Sequence, residues 1–328
     1  MTSQAGCPLY VFANDQDEAY GRFPLDPLSR RYVVAHLGET ADVFQRTLLW
    51  GSLWESVREA ELDPREYIEL ALRLLPMEDD EALARSIIVR AISALHRYVS
   101  AETRAQLAPR MERLADDKMQ HAASPDMRIV WFRALRGVAH TAEARAQLKH
   151  LLSGKLQVPG VEHRPLDRWI TVVTLVALDD PEGESVLAAE QQRDPSGDGM
   201  KYAYIAMAAR PNPNTKKTYF DEYLHNAAPP EDWIEQSLNA FNWWNQSDLT
   251  FAYLRPALDA LPQVKRGRKI FFLLAWLNAF IGGQQSPAAQ QQVHAFLDSA
   301  SLDKDLRSKV LEVVDELDRT VRIRTKYK

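Results

Sequence analysis

The hydrophobic positions of this chain recur at the spacing of an α-helix over most of its length. The i, i+3, i+4, i+7 pattern, which places side chains on one helix face, is filled by Trp50, Leu53, Trp54 and Val57. From Pro27 onward, segments with this periodicity alternate with short breaks that contain Pro, Gly, Asp or Asn. The pattern predicts an all-α fold of about sixteen helices.

Several helix starts are marked by an oxygen-bearing side chain followed by proline. An Asp or Ser at the N-cap accepts free backbone N–H groups, and a proline at the next position costs nothing because its φ is already helical. The pairs of this kind are Asp26-Pro27, Asp63-Pro64, Asp180-Pro181 and Ser286-Pro287. Helices are therefore predicted to begin at residues 27, 64, 181 and 287.

Short helices in series, with no strand between them, are typical of an α-solenoid, in which each helix pair buries its face against the next. No sharp sequence period is present, so we expect irregular antiparallel pairs of HEAT or armadillo type. Continuous helices are predicted over 79–99, 248–260 and 266–281. The predicted organisation is one helical-repeat domain over residues 27–328, with no flexible linker inside it.

The segment before Pro27 has a different pattern. Leu9–Phe12 is a short apolar run rich in β-forming residues, a polar turn cluster follows at residues 14–17, and Tyr20–Phe23 has the composition of a second strand. We expect a short β ribbon within residues 1–26. A two-stranded ribbon is not stable alone in water, so it requires a partner outside this segment.

Composition and charge restrict the function. The chain has 328 residues with 46% hydrophobic content, which is sufficient for a packed core. Its net charge is −5 with both signs interspersed, so no basic field is present that would hold a nucleic acid or an anionic membrane. The apolar run Ile270–Ile281 is shorter than the roughly 20 residues that span a bilayer. The single cysteine, Cys7, cannot form an intrachain disulfide, which favours a cytoplasmic location.

No catalytic set is apparent in the sequence. None of the eight histidines is followed by Glu, so the zinc-protease pattern His-Glu-x-x-His is absent, and no nucleophile elbow, Walker loop or dinucleotide-binding glycine pattern occurs. No cofactor is predicted in this chain.

Four polar stretches each admit two interpretations. Glu162-His163 is either a metal ligand pair or a solvated loop pair, and Glu78–Glu81 either binds a cation or caps the next helix. Asn242–Gln246, with two adjacent tryptophans, is either a ligand platform or a packed helix end. The cations within Arg319–Lys328 either complement the dipole of the last helix or form an anion site.

Four other stretches are informative through their order. They are "NDQDEAYGRFPLD" (14–26), "RTLLWGSLWESVREAEL" (46–62), "VPGVEHRPLDRW" (158–169) and "DELDRTVRIR" (315–324). In this order and spacing they resemble the C-terminal helical domain of the gluzincin zinc aminopeptidases, the family that includes aminopeptidase N and the endoplasmic-reticulum aminopeptidases. The chain is most similar to the bacterial aminopeptidase N branch, over nearly its full length.

The resemblance implies a role inside a larger enzyme. It implies that residues 1–26 join a preceding β-sandwich domain, and that the helices form a bowl of HEAT-like pairs that closes over the active site, admits peptides and limits their length. The zinc, its ligands, the Gly-x-Met-Glu-Asn strand and the general base belong to the catalytic domain outside this chain. The implied partners are the rest of the aminopeptidase and its peptide substrates. Met1 precedes what would be mid-protein sequence, so we expect a piece of a longer protein.

A cavity that admits peptides favours arginine beside aromatic residues, because arginine holds a carboxylate or a backbone carbonyl with paired hydrogen bonds. The candidates for a peptide-cavity wall are Arg319, Arg322, Arg46, Arg168 and Trp169. For each of the four arginines the alternative is an ion pair with an acidic residue of the adjacent helix, and for Arg46 and Arg168 this alternative is favoured. For the whole chain, the alternatives are a free-standing helical-repeat scaffold that binds a peptide or protein partner, and an autonomous enzyme of unknown type.

Overall fold

A computed structural model describes residues 8–225 and 229–328, and within these ranges it contains helices and no strand. The all-α prediction is confirmed. The α-helices in chain order are α1 (Pro27–His36), α2 (Val43–Arg58), α3 (Pro64–Leu74), α4 (Glu81–Ser93), α5 (Ala101–His121), α6 (Pro125–Val138), α7 (Ala142–Ser153), α8 (Pro165–Ala177), α9 (Gly183–Arg193), α10 (Gly197–Ala208), α11 (Pro213–His225), α12 (Glu231–Phe241), α13 (Ser247–Thr250), α14 (Leu254–Asp259), α15 (Leu261–Gly267), α16 (Ile270–Phe280), α17 (Pro287–Ser299) and α18 (Lys304–Lys326). No helix in the described ranges is long and apolar enough to cross a membrane.

The predicted β ribbon is not formed in the described part of its segment, residues 8–26. Side-chain hydrogen bonds take the place of a strand ladder there. The Asn14 amide oxygen accepts the Ala19 N–H at 3.1 Å and closes a turn, while the Val11 N–H donates to the Ser29 hydroxyl of α1 at 2.9 Å. The segment therefore lies against a helix as an irregular loop.

Most of the proline-marked helix starts are confirmed. Helices α1, α3 and α17 begin directly after Asp26, Asp63 and Ser286, and each of these side chains accepts a backbone N–H of the first turn. Local chemistry decides these three starts, because donor, acceptor and proline lie within four residues of one another.

The start predicted at Pro181 is wrong, since α9 begins at Gly183. The Asp180 carboxylate accepts the Glu182 N–H at 3.0 Å in a turn that precedes the helix. The same carboxylate accepts hydrogen bonds from Arg145 and Lys149, both at 3.1 Å. These contacts with α7 hold Asp180 away from an N-cap position.

Two of the three predicted helices are confirmed as unbroken helical segments that change type along their length. The segment predicted over 79–99 is α4 continued by a π-helix at Ala94–Tyr98, and the segment predicted over 248–260 contains a 3₁₀ turn at Phe251–Tyr253 between α13 and α14. The helix predicted over 266–281 is divided, because α15 ends at Gly267 and α16 begins at Ile270. The helix ends at Tyr98, so the last carbonyls of the π-helix have no donor within the helix and can accept from side chains. The Leu95 carbonyl accepts from Arg104 at 2.9 Å.

The chain divides into two compact units. Unit 1 extends to Ala134 and includes Arg322–Lys328, while unit 2 is Leu135–Val321. The hydrophobic face predicted for α2 is buried in unit 1, where Trp50 is 1% exposed and meets the Tyr67 ring edge-on at 5.2 Å.

In unit 2, α8, α10, α12 and α16 pack side by side, which is consistent with an α-solenoid. A buried glutamine joins two of their C-terminal ends. The Gln246 amide donates to the Ala177 carbonyl at the end of α8 at 2.9 Å and to the Ala209 carbonyl just after α10 at 2.8 Å. These carbonyls have no partner within their own helices, so Gln246 supplies it.

A buried lysine joins the next pair of ends. Lys216 has no exposed surface, and its ammonium donates to the Ala208 carbonyl of α10 at 2.8 Å and to the Phe241 carbonyl of α12 at 2.7 Å. A cation is favourable at a helix C-terminus because of the helix dipole. Lys216 and Gln246 together align three parallel helices at one end.

Candidate functional site

Arg46, in the first turn of α2, is held in a nearly buried ion pair. Its guanidinium donates two hydrogen bonds of 2.9 Å to the Glu78 carboxylate, whose side chain is 7% exposed, and a third of 2.7 Å to the Ala41 carbonyl. Hydrogen bonding to Glu78 raises the pKa of Arg46. Asp80 caps α4, so the acidic run serves an ion pair and a helix cap.

Arg168 and Trp169 lie side by side in α8 and both contact the end of α9. The Arg168 guanidinium donates to the Glu190 carboxylate at 2.8 and 2.5 Å, and the indole N–H of Trp169 donates to Asp194 at 2.8 Å. Trp169 has no exposed surface and packs in the core of unit 2. For Arg46 and Arg168 the structure therefore contains the ion pair that the sequence offered as the alternative.

Arg319 and Arg322 lie on the last helix in different surroundings. Arg319 is 7% exposed and donates to Asp315 and Glu316 of its own helix at 2.8 and 2.6 Å. The Arg322 side chain is 52% exposed and donates to Glu59 at 3.3 Å. Of the sequence-predicted arginines, Arg322 presents the most surface to a ligand.

The remaining sequence candidates have structural surroundings. Trp243 packs against the core around Val172 and Leu187, which supports the packed helix end. Burial lowers the pKa of His163, which makes it a poor cation. Across the described ranges, no group of three or more His, Cys, Asp or Glu side chains could hold a metal ion. Cys7 lies outside the described residues.

Unit 1 contains a charged cleft that the sequence analysis did not identify. Its volume is about 710 Å³, and it lies between α1, α3 and α5. A second cleft of about 390 Å³ shares Arg31, Val34, Asp63 and Glu66 with it. We call these two cavities together the α1–α3 cleft. A separate pocket of about 240 Å³ is lined by Arg46, Trp50 and Glu78, among others.

Most charges of the α1–α3 cleft are neutralised within it. Asp63 accepts from Arg65 at 2.5 Å, Glu69 forms an ion pair with Arg110, and Glu61 forms one with Arg30 at 2.6 Å. Such exposed pairs leave little charge to attract a ligand.

Three charged groups of the cleft lie outside these pairs. Within the described part of the chain, neither Arg31 nor Glu66 makes a hydrogen bond or ion pair, and Arg73 donates only to the Val34 carbonyl, at 2.6 Å. The sequence does contain a signal for α3, since Glu66, Glu69 and Arg73 occur at helical spacing along one face. No local pattern indicates that Arg31 of α1 lines the same cleft.

Comparison with known proteins gives matches along almost the whole chain. The family described as the ERAP1-like C-terminal domain matches residues 10–319. Aminopeptidase N of Streptomyces lividans is 29% identical over 318 residues, which are 96% of this chain and 37% of that relative. The chain thus spans little more than a third of the length of this relative.

Proposed function

Because the chain belongs to the ERAP1-like C-terminal domain family, we propose that it is the C-terminal domain of a zinc-dependent aminopeptidase that removes N-terminal residues from peptides. The match over residues 10–319 carries this proposal. The catalytic residues and the zinc lie in the remainder of the enzyme. This domain caps the active site and controls which peptides reach it and how long they are.

The ion pairs of the sequence-predicted arginines are consistent with a structural role for these side chains, because each pair fixes its guanidinium in place. In this proposal the helix pairs are HEAT-like repeats, and the enzyme acts in the cytoplasm.

The segment before α1 supports a join to a preceding β-sandwich domain. Leu9 is 70% exposed, Val11 is 58% exposed and Tyr20 is fully exposed. Apolar side chains that are exposed together in one segment are a feature of protein interaction sites. We propose that these side chains pack on that domain and that the ribbon predicted from the sequence forms there.

The test uses the complete aminopeptidase with the catalytic domain present. Arg322→Ala is expected to raise KM for peptides of about ten residues severalfold while leaving a single-residue anilide nearly unchanged, because only the longer substrate reaches this wall. The control is Arg255→Ala, since the Arg255 side chain is 53% exposed, close to the 52% of Arg322, and also forms a surface ion pair, with Asp259.

Equal losses on both substrates for Arg322→Ala would point to defective docking of the domain. No change on either substrate, together with an unchanged length preference in Arg319→Ala, would remove the last helix from the peptide-binding wall.

A further inference from the structure

The α1–α3 cleft leaves unpaired charges of both signs on one surface. Arg31 and Glu66 each line both of its parts, yet they do not pair with each other or with any other described side chain. Every other carboxylate of the cleft is matched by an arginine. Glu66 and Arg31 are therefore the acid and the base that line both parts of the cleft without an ion pair, although Arg65 lies near enough to Glu66 to interact with it electrostatically.

The cleft contains a second arginine that pairs with none of its carboxylates. Arg73 lines the larger part of the cleft, and one of its guanidinium nitrogens donates to the Val34 carbonyl. Val34 lies in α1, three residues after Arg31. Its remaining N–H groups are available to a ligand. Two guanidinium groups that line one cleft suit a carboxylate, which accepts paired hydrogen bonds from arginine.

Part of the lining is apolar. Val34, Leu70 and Leu72 also line the larger part of the cleft. A ligand that fits this lining carries a short apolar group in addition to opposite charges. A simple anion is disfavoured because Glu66 repels it, and a simple cation is disfavoured because the two arginines repel it.

We propose that the α1–α3 cleft binds a free α-amino acid with an aliphatic side chain. Its carboxylate is held by Arg31 and Arg73, its ammonium by Glu66, and its side chain lies on Val34 and Leu72, which are both partly exposed. This site is distinct from the peptide-cavity wall around Arg322, and it does not depend on the proposed peptidase activity.

The test is calorimetric titration of the 328-residue chain with L-leucine and two analogues. L-leucinamide keeps the ammonium without the carboxylate, and 4-methylpentanoate keeps the carboxylate without the ammonium. L-leucine is expected to bind at one saturable site, and each analogue at least about tenfold more weakly, as the loss of one charged contact requires.

Variants separate the two halves of the site. Arg31→Ala and Glu66→Gln are each expected to weaken L-leucine binding about tenfold. The matched controls are Arg113→Ala, an exposed arginine of α5 outside the cleft, and Glu102→Gln, which like Glu66 is an exposed acid in the first turn of a helix. Both controls are expected to bind as the parent chain does.

The proposal is overturned if L-leucine shows no saturable binding, or if 4-methylpentanoate binds as tightly as L-leucine, because the cleft would then be a plain anion site. Equal weakening by Arg31→Ala and Arg113→Ala would also overturn it, since that result indicates non-specific attraction to surface charge.

Discussion

Lys216 is a cation enclosed by helix ends. Its ammonium meets two carbonyl oxygens and lies 4.8 Å from the centre of the Phe241 ring, so each of its three N–H groups has an acceptor or a ring face to point at. Burial nevertheless lowers the pKa of Lys216 from its ordinary value of 10.5 to about 7, and burial is the only cause. The charged form of Lys216 is therefore less stable in the native state than it is in water.

This burial predicts a rise of stability with pH. Between pH 7 and 9 the unfolded chain keeps the Lys216 proton while the native chain loses it, so the unfolded state binds more protons and the free energy of unfolding increases with pH. In Lys216→Met this contribution is absent, and the rise is expected to be smaller. Urea unfolding at several pH values measures it.

Lys217→Met is the matched control, because the Lys217 side chain is 75% exposed and pairs with Asp221 on the surface. It is expected to keep the pH dependence of the parent chain. An identical slope in Lys216→Met and the parent would show that Lys216 keeps its proton across this range.

At the scale of single residues, the sequence identified side chains but not their partners. Arg168 and Trp169 stood out because they are adjacent, yet Glu190 and Asp194, which bind them, lie 22 and 25 positions away on the next helix. Arg31 and its cleft were missed because an exposed arginine on an amphipathic helix has no distinguishing local pattern. Partner identity depends on tertiary packing, which residue spacing does not encode.

At the scale of helices, starts were easier to predict than changes of helix type. Asp26, Asp63 and Ser286 act on N–H groups within their own first turn, so their effect is visible in the sequence. At the end of the π-helix after α4, the Leu95 and His96 carbonyls accept hydrogen bonds from the Arg104 guanidinium, which belongs to the next helix, α5. No composition signal near Ala94–Tyr98 reveals that contact.

The two hydrogen bonds of Gln246 allow a prediction of how much this side chain contributes to stability. In Gln246→Leu the carbonyls of Ala177 and Ala209 lose their donor inside unit 2, and the free energy of unfolding is expected to fall by roughly 2 kcal/mol or more, because an unsatisfied buried acceptor costs about 1 to 3 kcal/mol. Chemical denaturation measures the change.

The control for this helix-end prediction is Gln263→Leu, since Gln263 is exposed and makes one long bond of 3.4 Å to the Leu224 carbonyl. It is expected to change stability by less than about 0.5 kcal/mol. Similar losses in both variants would mean that the Gln246 bonds contribute no more than a surface contact.

At the scale of the whole chain, four short stretches were sufficient to predict the family, and the match over residues 10–319 confirms that resemblance. The sequence did not predict that residues 322–328 belong to the same compact unit as residues up to Ala134. Lys326 and Tyr327 both donate to the Ala60 carbonyl, at 2.6 and 2.8 Å, across 266 and 267 positions of sequence. Helical periodicity describes neighbours along the chain and contains no information about such distant contacts.

These distant contacts predict the effect of a terminal deletion. Removing residues 322–328 takes away the donors to Ala60 and the Arg324 hydrogen bond of 3.1 Å to the Val99 carbonyl. Hydrogen exchange is expected to accelerate around residues 58–62 and 94–99 of unit 1 and to stay unchanged in unit 2, because local protection follows local contacts.

Hydrogen-exchange mass spectrometry resolves the two units by peptide. Deleting Lys328 alone is the control, since it leaves every one of these donors in place. Unchanged exchange at residues 58–62 in the longer deletion would show that unit 1 holds together without its C-terminal segment.

Because unit 1 is formed by two separate stretches of the chain, its two parts are synthesised at different times. Translation proceeds at about 5 to 20 residues per second, so residues 322–328 emerge on the order of 10 s or more after Ala134 has been made. During that interval Ala60 and Val99 lack their donors, while unit 2 is synthesised in one uninterrupted piece. The last residue of unit 2 is therefore made before unit 1 is complete, and the carbonyls of Ala60 and Val99 are the part of unit 1 that a chaperone has the longest time to bind.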